Sequence, residues 1–282
     1  MKRVAILGSG LIGCDLLVKC QRTEGVELIA IAGNRPTSKG LAFAKSRGVY
    51  TTDRSMQGII EAGIKPDIVV DCTTASCHYS HDATCQANNI RIIDMTPAKI
   101  GTTCCPAINL QQCLDADNIN MISCGGQAAL PLCFAIKSAN PAIDYIEVVS
   151  TVASESVGPG TRKNLSEYIT STQGAIETML AIGKAKVIVN ISPAKPPVIM
   201  RTTIVASSDS IDNEAATAAR IEEMIERTSR YVPGYKASIG LKKVGPRAIC
   251  QVIVSGCGDY LPNYAGNLDI INCAALELIK SL

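Results

Sequence analysis

Residues 118–132 read NINMISCGGQAALPL: an apolar run meets Cys124, and two glycines and a set of helix formers follow. A cysteine on the first turn of a helix feels the positive end of the helix dipole, which lowers its pKa and raises its thiolate fraction at neutral pH. Gly125 and Gly126 carry no side chains to cover their backbone N–H groups, so an oxyanion on a substrate bound to the sulfur would find donors there. These are the parts for covalent catalysis by cysteine. The alternative is a buried structural cysteine ahead of a helix, and local sequence does not separate the two.

Gly8, Ser9, Gly10, Leu11, Ile12 and Gly13 fit G-x-G-x-x-G between a predicted strand and a predicted helix. The first glycine permits the turn, the second lets backbone approach a pyrophosphate, and the third lets helix and strand pack closely. The helix N-terminus then offers free N–H groups to the phosphate. About 20 residues further on, an NAD site usually carries an acidic residue for the ribose hydroxyls. Here the positions are Asn34 and Arg35. An arginine suits a 2′-phosphate, so NADP is favoured over NAD. A thiolate beside a nicotinamide suggests aldehyde chemistry. The sulfur adds to the carbonyl, hydride leaves to the cofactor, and a second nucleophile releases the acyl group from the thioester.

The elements that must position these residues alternate in the first half. Strands are predicted at RVAILGSG, VELIAIAG, PDIVVDCTTA, IRIIDMTPA and NINMISC, and helices at residues 11–23, TSKGLAFAKSRG (N-cap Thr37 or Ser38) and SHDATCQANN. Short apolar strands between helices indicate a Rossmann-type parallel sheet covered on both faces. After Cys124 come the strand DYIEVVSTVAS, a helix over 162–183, strands AKVIVNIS and VIMRTTIVAS, the charged helix EAATAARIEEMIERTSRYV and the strand RAICQVIVSG. That order indicates an α+β catalytic domain with a mostly antiparallel sheet. The expected division is a dinucleotide-binding domain over 1–123 and a catalytic and oligomerisation domain over 124–266, with a C-terminal helix, 267–282, returning to the first. The domains should pack together around a cleft.

The 282 residues are 47% hydrophobic and 18% charged, which is globular. A net charge of +2 gives no case for nucleic acid or an anionic membrane, and no apolar run reaches the ~18 residues of a membrane span. A cytoplasmic protein is expected. The thirteen cysteines include no C-x-x-C pair. Cys72, Cys77, His78 and His81 match no common zinc spacing, the histidines are expected on a loop or helix start, and no metal is expected.

Six stretches, GSGLIG.D, IDMTPAKIG, NMISCGGQAALP, SVGPGTR.N, YVPGY and YLPNYAGNLDI, run in order along nearly the whole chain. In them the chain resembles the acylating acetaldehyde dehydrogenases of aromatic-catabolic pathways. The resemblance implies conversion of an aldehyde, oxidised NAD(P) and coenzyme A to acyl-CoA, and a homo-oligomer, in a family often paired with a 4-hydroxy-2-oxovalerate aldolase. It places the acyl-thioester at Cys124. It places cofactor contacts at Ser9 to Ile12, along Ser156, Gly158, Pro159, Gly160, Thr161, Arg162 and Asn164, and at Asn267. The chain departs from the family at Leu11 (the family has Asn), at Arg35 (an acidic residue) and at Thr202 (an Asp thought to assist the cysteine). A threonine cannot act as a base at neutral pH. Those departures keep open an oxidoreductase of another aldehyde or acyl thioester, and a catalytically weakened nucleotide-binding relative.

Overall fold

The structure is a computed structural model that describes residues 1–158, 162 and 164–282. Its first layer is a seven-stranded, wholly parallel sheet. Strands β1 (Lys2–Leu7), β2 (Val26–Ala32), β3 (Tyr50–Thr52), β4 (Ile68–Asp71), β5 (Arg91–Asp94), β6 (Thr102–Thr103) and β7 (Asn118–Asn120) lie in the order β3-β2-β1-β4-β5-β7-β6. The central strand β1 shows why both faces are covered. Val4 and Ile6 join one core with Leu16 and Leu17 of α1 (Leu11–Gln21). Ala5 and Leu7, pointing the other way, join a second with Met56 and Ile59 of α3 (Ser55–Glu61) and Cys85 of α4 (Ala75–Ala87). An apolar strand with no alternation is what burial on two faces requires. Helix α2 (Lys39–Ser46) starts at Ser38, whose hydroxyl caps it, and α5 spans Pro106–Cys113.

The second sheet has the order β11-β12-β10-β8-β9, from β8 (Tyr145–Ala153), β9 (Lys184–Ser192), β10 (Met200–Ser207), β11 (Tyr235–Val244) and β12 (Arg247–Val254). Its pairs are antiparallel except β8 with β9. One face buries Ile146, Val148, Ile204, Cys250 and Val252 beneath α6 (Cys124–Ala139), α7 (Leu165–Leu180) and α8 (Glu214–Ser229). The molecule is therefore α/β, with a Rossmann-like parallel sheet and a mostly antiparallel second sheet. The last helix, α9 (Gly266–Ser281), lays Ile271, Ala274, Ala275, Leu278 and Ile279 onto the α1 side of the first core and turns Ile270 and Cys273 toward the second.

Several elements escape the sequence expectation. Strand β11, YKASIGLKKV, is mostly exposed and carries three lysines at the sheet edge. Charge protects such an edge and erases the apolar pattern that marks a strand. Strands β3 and β6, of three and two residues, are too short to show a period. His78 lies in the first turn of α4 and His81 in its second, both facing the sheet and buried. Among the described residues no helix is long and apolar enough to cross a membrane.

Candidate active site

Three neighbouring strands of the parallel sheet end in the same device. Asp71 closes β4, and its Oδ1 accepts the N–H of Thr73 at 3.0 Å. Asp94 closes β5 and accepts from the Thr96 N–H at 2.7 Å. Asn120 closes β7, and its Oδ1 accepts from the Ile122 N–H at 2.8 Å. Each side chain thus folds the next two residues into a turn. The turns are linked below: His78 Nδ1 and His81 Nδ1 lie 2.9 Å and 2.8 Å from Asp71 Oδ2, and Asn120 Nδ2 donates to Asp94 Oδ2 at 2.9 Å. His78 Nε2 is 3.5 Å from the same Asp94 oxygen. Although burial opposes ionisation of Asp71, its hydrogen bonds with His78, His81 and Thr73 hold its carboxyl below the usual carboxylate range. The carboxylate partners in turn raise the pKa of His78 against the effect of burial. Burial pushes Asp94 up.

The residues after these turns line a cavity of ≈ 400 Å³: Cys72, Thr73 and Thr74; Met95, Thr96 and Pro97; Ile122, Ser123 and Cys124. Gly10, Leu11 and Ile12 of the glycine loop form another wall, and Asn267, Leu268 and Ile271 of α9 a third. Gly158, Asn164 and Tyr168 complete the lining. In open parallel sheets ligands bind at this carboxyl edge.

Cys124 is the first residue of α6, as expected. Ser123 caps the helix by accepting the Gly126 N–H at 2.9 Å, and its hydroxyl also pairs with Thr172 Oγ1 at 2.7 Å. The residue before the cap, Ile122, has φ +68°. A β-branched residue there is an outlier, and such strain gathers at functional sites. Two expectations need correction. The Gly126 N–H is engaged by the cap, so it is not open to an oxyanion. The N–H groups of Cys124 and Gly125 are the ones that face the sulfur. Nor is the thiol pKa lowered. Burial raises it, and the Tyr168 hydroxyl and those two N–H groups offset only part of the rise.

Tyr168 is the residue that sequence reasoning missed. The Cys124 thiol donates to its Oη over 3.4 Å, and a side chain at position 125 would overlap the hydroxyl. Gly125 therefore makes room for Tyr168. Burial and the neighbouring Cys124 sulfur keep the Tyr168 pKa well above its ordinary value, so it stays a donor. The local cue is a lone tyrosine within a helix, which by itself reads as packing.

The remaining site candidates differ in where they lie. Gly10, Leu11, Ile12, Gly158, Asn164 and Asn267 line the cavity with Cys124. Gly8 and Gly13 are packed where a Cβ would strike Cys72 O and Gly8 O, and Ser9 Oγ bonds Ser38 Oγ at 2.7 Å. Asn34 and Arg35 are exposed after β2, outside the cavity. Ser156 is buried and donates to Ala153 O, while the Arg162 guanidinium holds Val157 O, Ser154 O and Ser154 Oγ rather than facing the cavity. Pro159, Gly160 and Thr161 lie outside the described residues. Thr202 is fully buried on β10, its hydroxyl 3.0 Å from Ser150 Oγ, and does not line the cavity.

The cradle suits a dinucleotide. Nothing stands within 4 Å of a Cβ built on Gly10, so backbone there is open to a ligand. Asn267 Oδ1, at the cavity wall, is buried without a partner. Among the described residues, none lining the cavity is a carboxylate, an imidazole or a cation.

Comparison with known proteins agrees with this geometry. The family model described as "Prokaryotic acetaldehyde dehydrogenase, dimerisation" matches residues 124–262. An acetaldehyde dehydrogenase of Pectobacterium atrosepticum is 46% identical, over 99% of this chain and 96% of its own length. One from Spirochaeta aurantia is 44% identical over 99% and 93%. "Acetaldehyde dehydrogenase 2" of Cupriavidus necator is 42% identical over 99% and 94%.

Proposed function

Because the chain belongs to the acetaldehyde dehydrogenase family, we propose that it oxidises a small aldehyde to acyl-CoA, with NAD(P)+ and coenzyme A, through a thioester on Cys124. The observation that carries this is the single cavity in which the glycine loop, Gly10 to Ile12, and the Cys124 thiol face each other.

Cys124 supplies the nucleophile once its thiol has lost its proton. The Tyr168 O–H then donates to the sulfur, and the N–H groups of Cys124 and Gly125 lie beside it, where charge develops on the carbonyl oxygen. Asn267, whose Oδ1 seeks a donor, and the Gly10–Ile12 backbone would hold the dinucleotide. When bound, the nicotinamide accepts the hydride. The cavity lining carries no general base among the described residues. That favours a thiol over water as acyl acceptor, since a thiol ionises far more readily near neutral pH.

Arg35 supports acceptance of NADP(H). Asp53, following β3, works against strong preference: the Gly33 N–H donates to Thr52 O at 2.9 Å, which brings that carboxylate's segment to the same edge. Replacing Arg35 with Ala should weaken NADP(H) binding and leave NAD(H) unchanged; equal losses would assign the arginine to the loop. A homodimer is part of the proposal. The face of the second sheet away from its helices presents Val149, Val205, Ile249 and Ile253, each half-buried, interleaved with Thr151, Thr203 and Gln251, a mixed surface suited to a second copy. The thirteen free thiols suit the reducing cytoplasm. An aldolase partner that delivers the aldehyde, as the sequence resemblance implies, would co-elute with the protein when the two are co-expressed.

The deciding experiment mixes enzyme, acetaldehyde and NAD(P)+ without coenzyme A, quenches in acid, and maps the acyl group by mass spectrometry. An acetyl thioester on Cys124, discharged on adding coenzyme A, is expected. Turnover in Cys124→Ala above a few per cent would remove the mechanism.

A further inference from the structure

On the far side of α9 from the cavity, a second group of thiols has no part in the chemistry above. Cys257, on the turn after β12, and Cys273, on α9, both donate to one oxygen, Asp269 Oδ2, each at 3.5 Å. The two sulfurs and a carboxylate oxygen of Asp269 lie within 4.8 Å of one another. Asp269 and Cys273 are buried, and Cys257 is exposed.

We infer that Cys257, Asp269 and Cys273 form a binding site for a zinc-like soft divalent cation, with solvent as the fourth ligand on the Cys257 side. A tetrahedral Zn2+ with Zn–S of about 2.3 Å and Zn–O of about 2.0–2.2 Å holds its sulfur and oxygen ligands roughly 3.5 Å apart. Both sulfur–oxygen separations already have that value. The ion would replace the two thiol hydrogen atoms at the centre of a triangle already formed.

The surroundings favour this use. Lys19, fully buried, donates to Asp269 Oδ1 at 2.7 Å and so fixes the carboxylate with Oδ2 turned toward the thiols. A donor behind a ligating group that fixes its orientation is a regular part of metal sites. Lys19 does not make the place cationic. It also pairs with Asp259 at 2.5 Å and Asp15 at 3.2 Å, and Arg22 pairs with Asp259. Three carboxylates against two cations leave the cluster negative. Exposure of Cys257 gives the ion an entry path.

The exchange balances as two thiols and one hydrated Zn2+ giving a dithiolate complex and two protons. No electrons move. The ion would join the turn that follows β12 to the second turn of α9, and it does not depend on the catalytic proposal.

The test uses the full chain, purified anaerobically with reductant and stripped with a chelator. One equivalent of Zn2+ should bind and survive dialysis, with about two protons released per ion. Co2+ in its place should give a thiolate-to-cobalt charge-transfer band. Cys257→Ser/Cys273→Ser should lose ion and band, and Cys124→Ser should keep both. Three results would overturn the site: no retained ion in the native chain, retention in the double variant, or loss in Cys124→Ser. A Cys257–Cys273 disulfide in the anaerobic, reduced protein would also overturn it.

Discussion

The Tyr168 hydroxyl stands 3.4 Å from the Cys124 sulfur, in space that exists because residue 125 has no side chain. The pair spans two elements, the start of α6 and the first turn of α7, and Ser123 and Thr172 bond across the same junction. Removing the hydroxyl takes a hydrogen bond from a sulfur that must carry charge. Such bonds contribute about 1.5–3 kcal/mol. Tyr168→Phe should therefore lower kcat/KM about ten- to a hundredfold, with the melting temperature nearly unchanged. Gly125→Ala should match or exceed that loss by displacing the ring. Steady-state kinetics and a thermal melt check both, and a Tyr168→Phe enzyme at native rate would end the assignment.

The pH–rate profile follows from the cavity lining. The Cys124 thiol lies above its ordinary 9.0 because burial outweighs its hydrogen bonds, and no base stands beside it among the described lining residues. Below that pKa the thiolate fraction grows tenfold per pH unit. We expect kcat/KM to climb through neutrality and level off only above pH 9. A bell centred near pH 7 would mean that bound cofactor or substrate shifts the thiol downward.

The network beneath the cavity sets a window of stability. Asp71 is held low in the fold, so its contribution is present above the unfolded carboxyl pKa, 3.8, and fades as pH falls below it. His78 is held above 6.5, so its contribution is complete below 6.5 and is lost as pH rises through the folded value. Asp94, raised by burial, opposes Asp71 on the acid side. The urea midpoint should decline on the alkaline side of pH 6.5 in the native chain. His78→Asn, lower throughout, should lack that decline.

Thr202 also yields a sharp expectation. From sequence, an Asp there would look like a restored base. In the fold the side chain is sealed against Ser150, and a carboxylate would be buried without a counter-charge, at a cost of several kcal/mol. Thr202→Asp should lower the melting temperature by about ten degrees or more and bring no gain in rate.

What could be read without coordinates was whatever local chemistry dictates. The glycine spacing marks the first βα turn, the apolar runs mark the parallel strands, and the helix formers after Cys124, Gly125 and Gly126 announce a helix start. What could not be read comes from segments far apart. Tyr168 gains its role from lying against a residue 44 positions away. The sulfur's pKa was misread because a helix dipole is a local property and burial is not. The D-x-T pattern of Asp71–Thr73 and Asp94–Thr96 was present in the sequence, yet its meaning rests on strand ends being neighbours.

Helix α9 has a consequence for how the protein is made. Its sixteen residues are made after both sheets, yet they cover α1 of the first sheet and supply Asn267, Leu268 and Ile271 to the cavity. Domains usually fold from the N-terminus as they emerge. Here Leu16 and Leu17 wait for Ala275 and Leu278 until α9 has been made. A nascent chain therefore displays an unsealed apolar flank until α9 emerges. A premature stop before Gly266 leaves that flank open for good, which makes such fragments targets for proteolysis rather than slow enzymes.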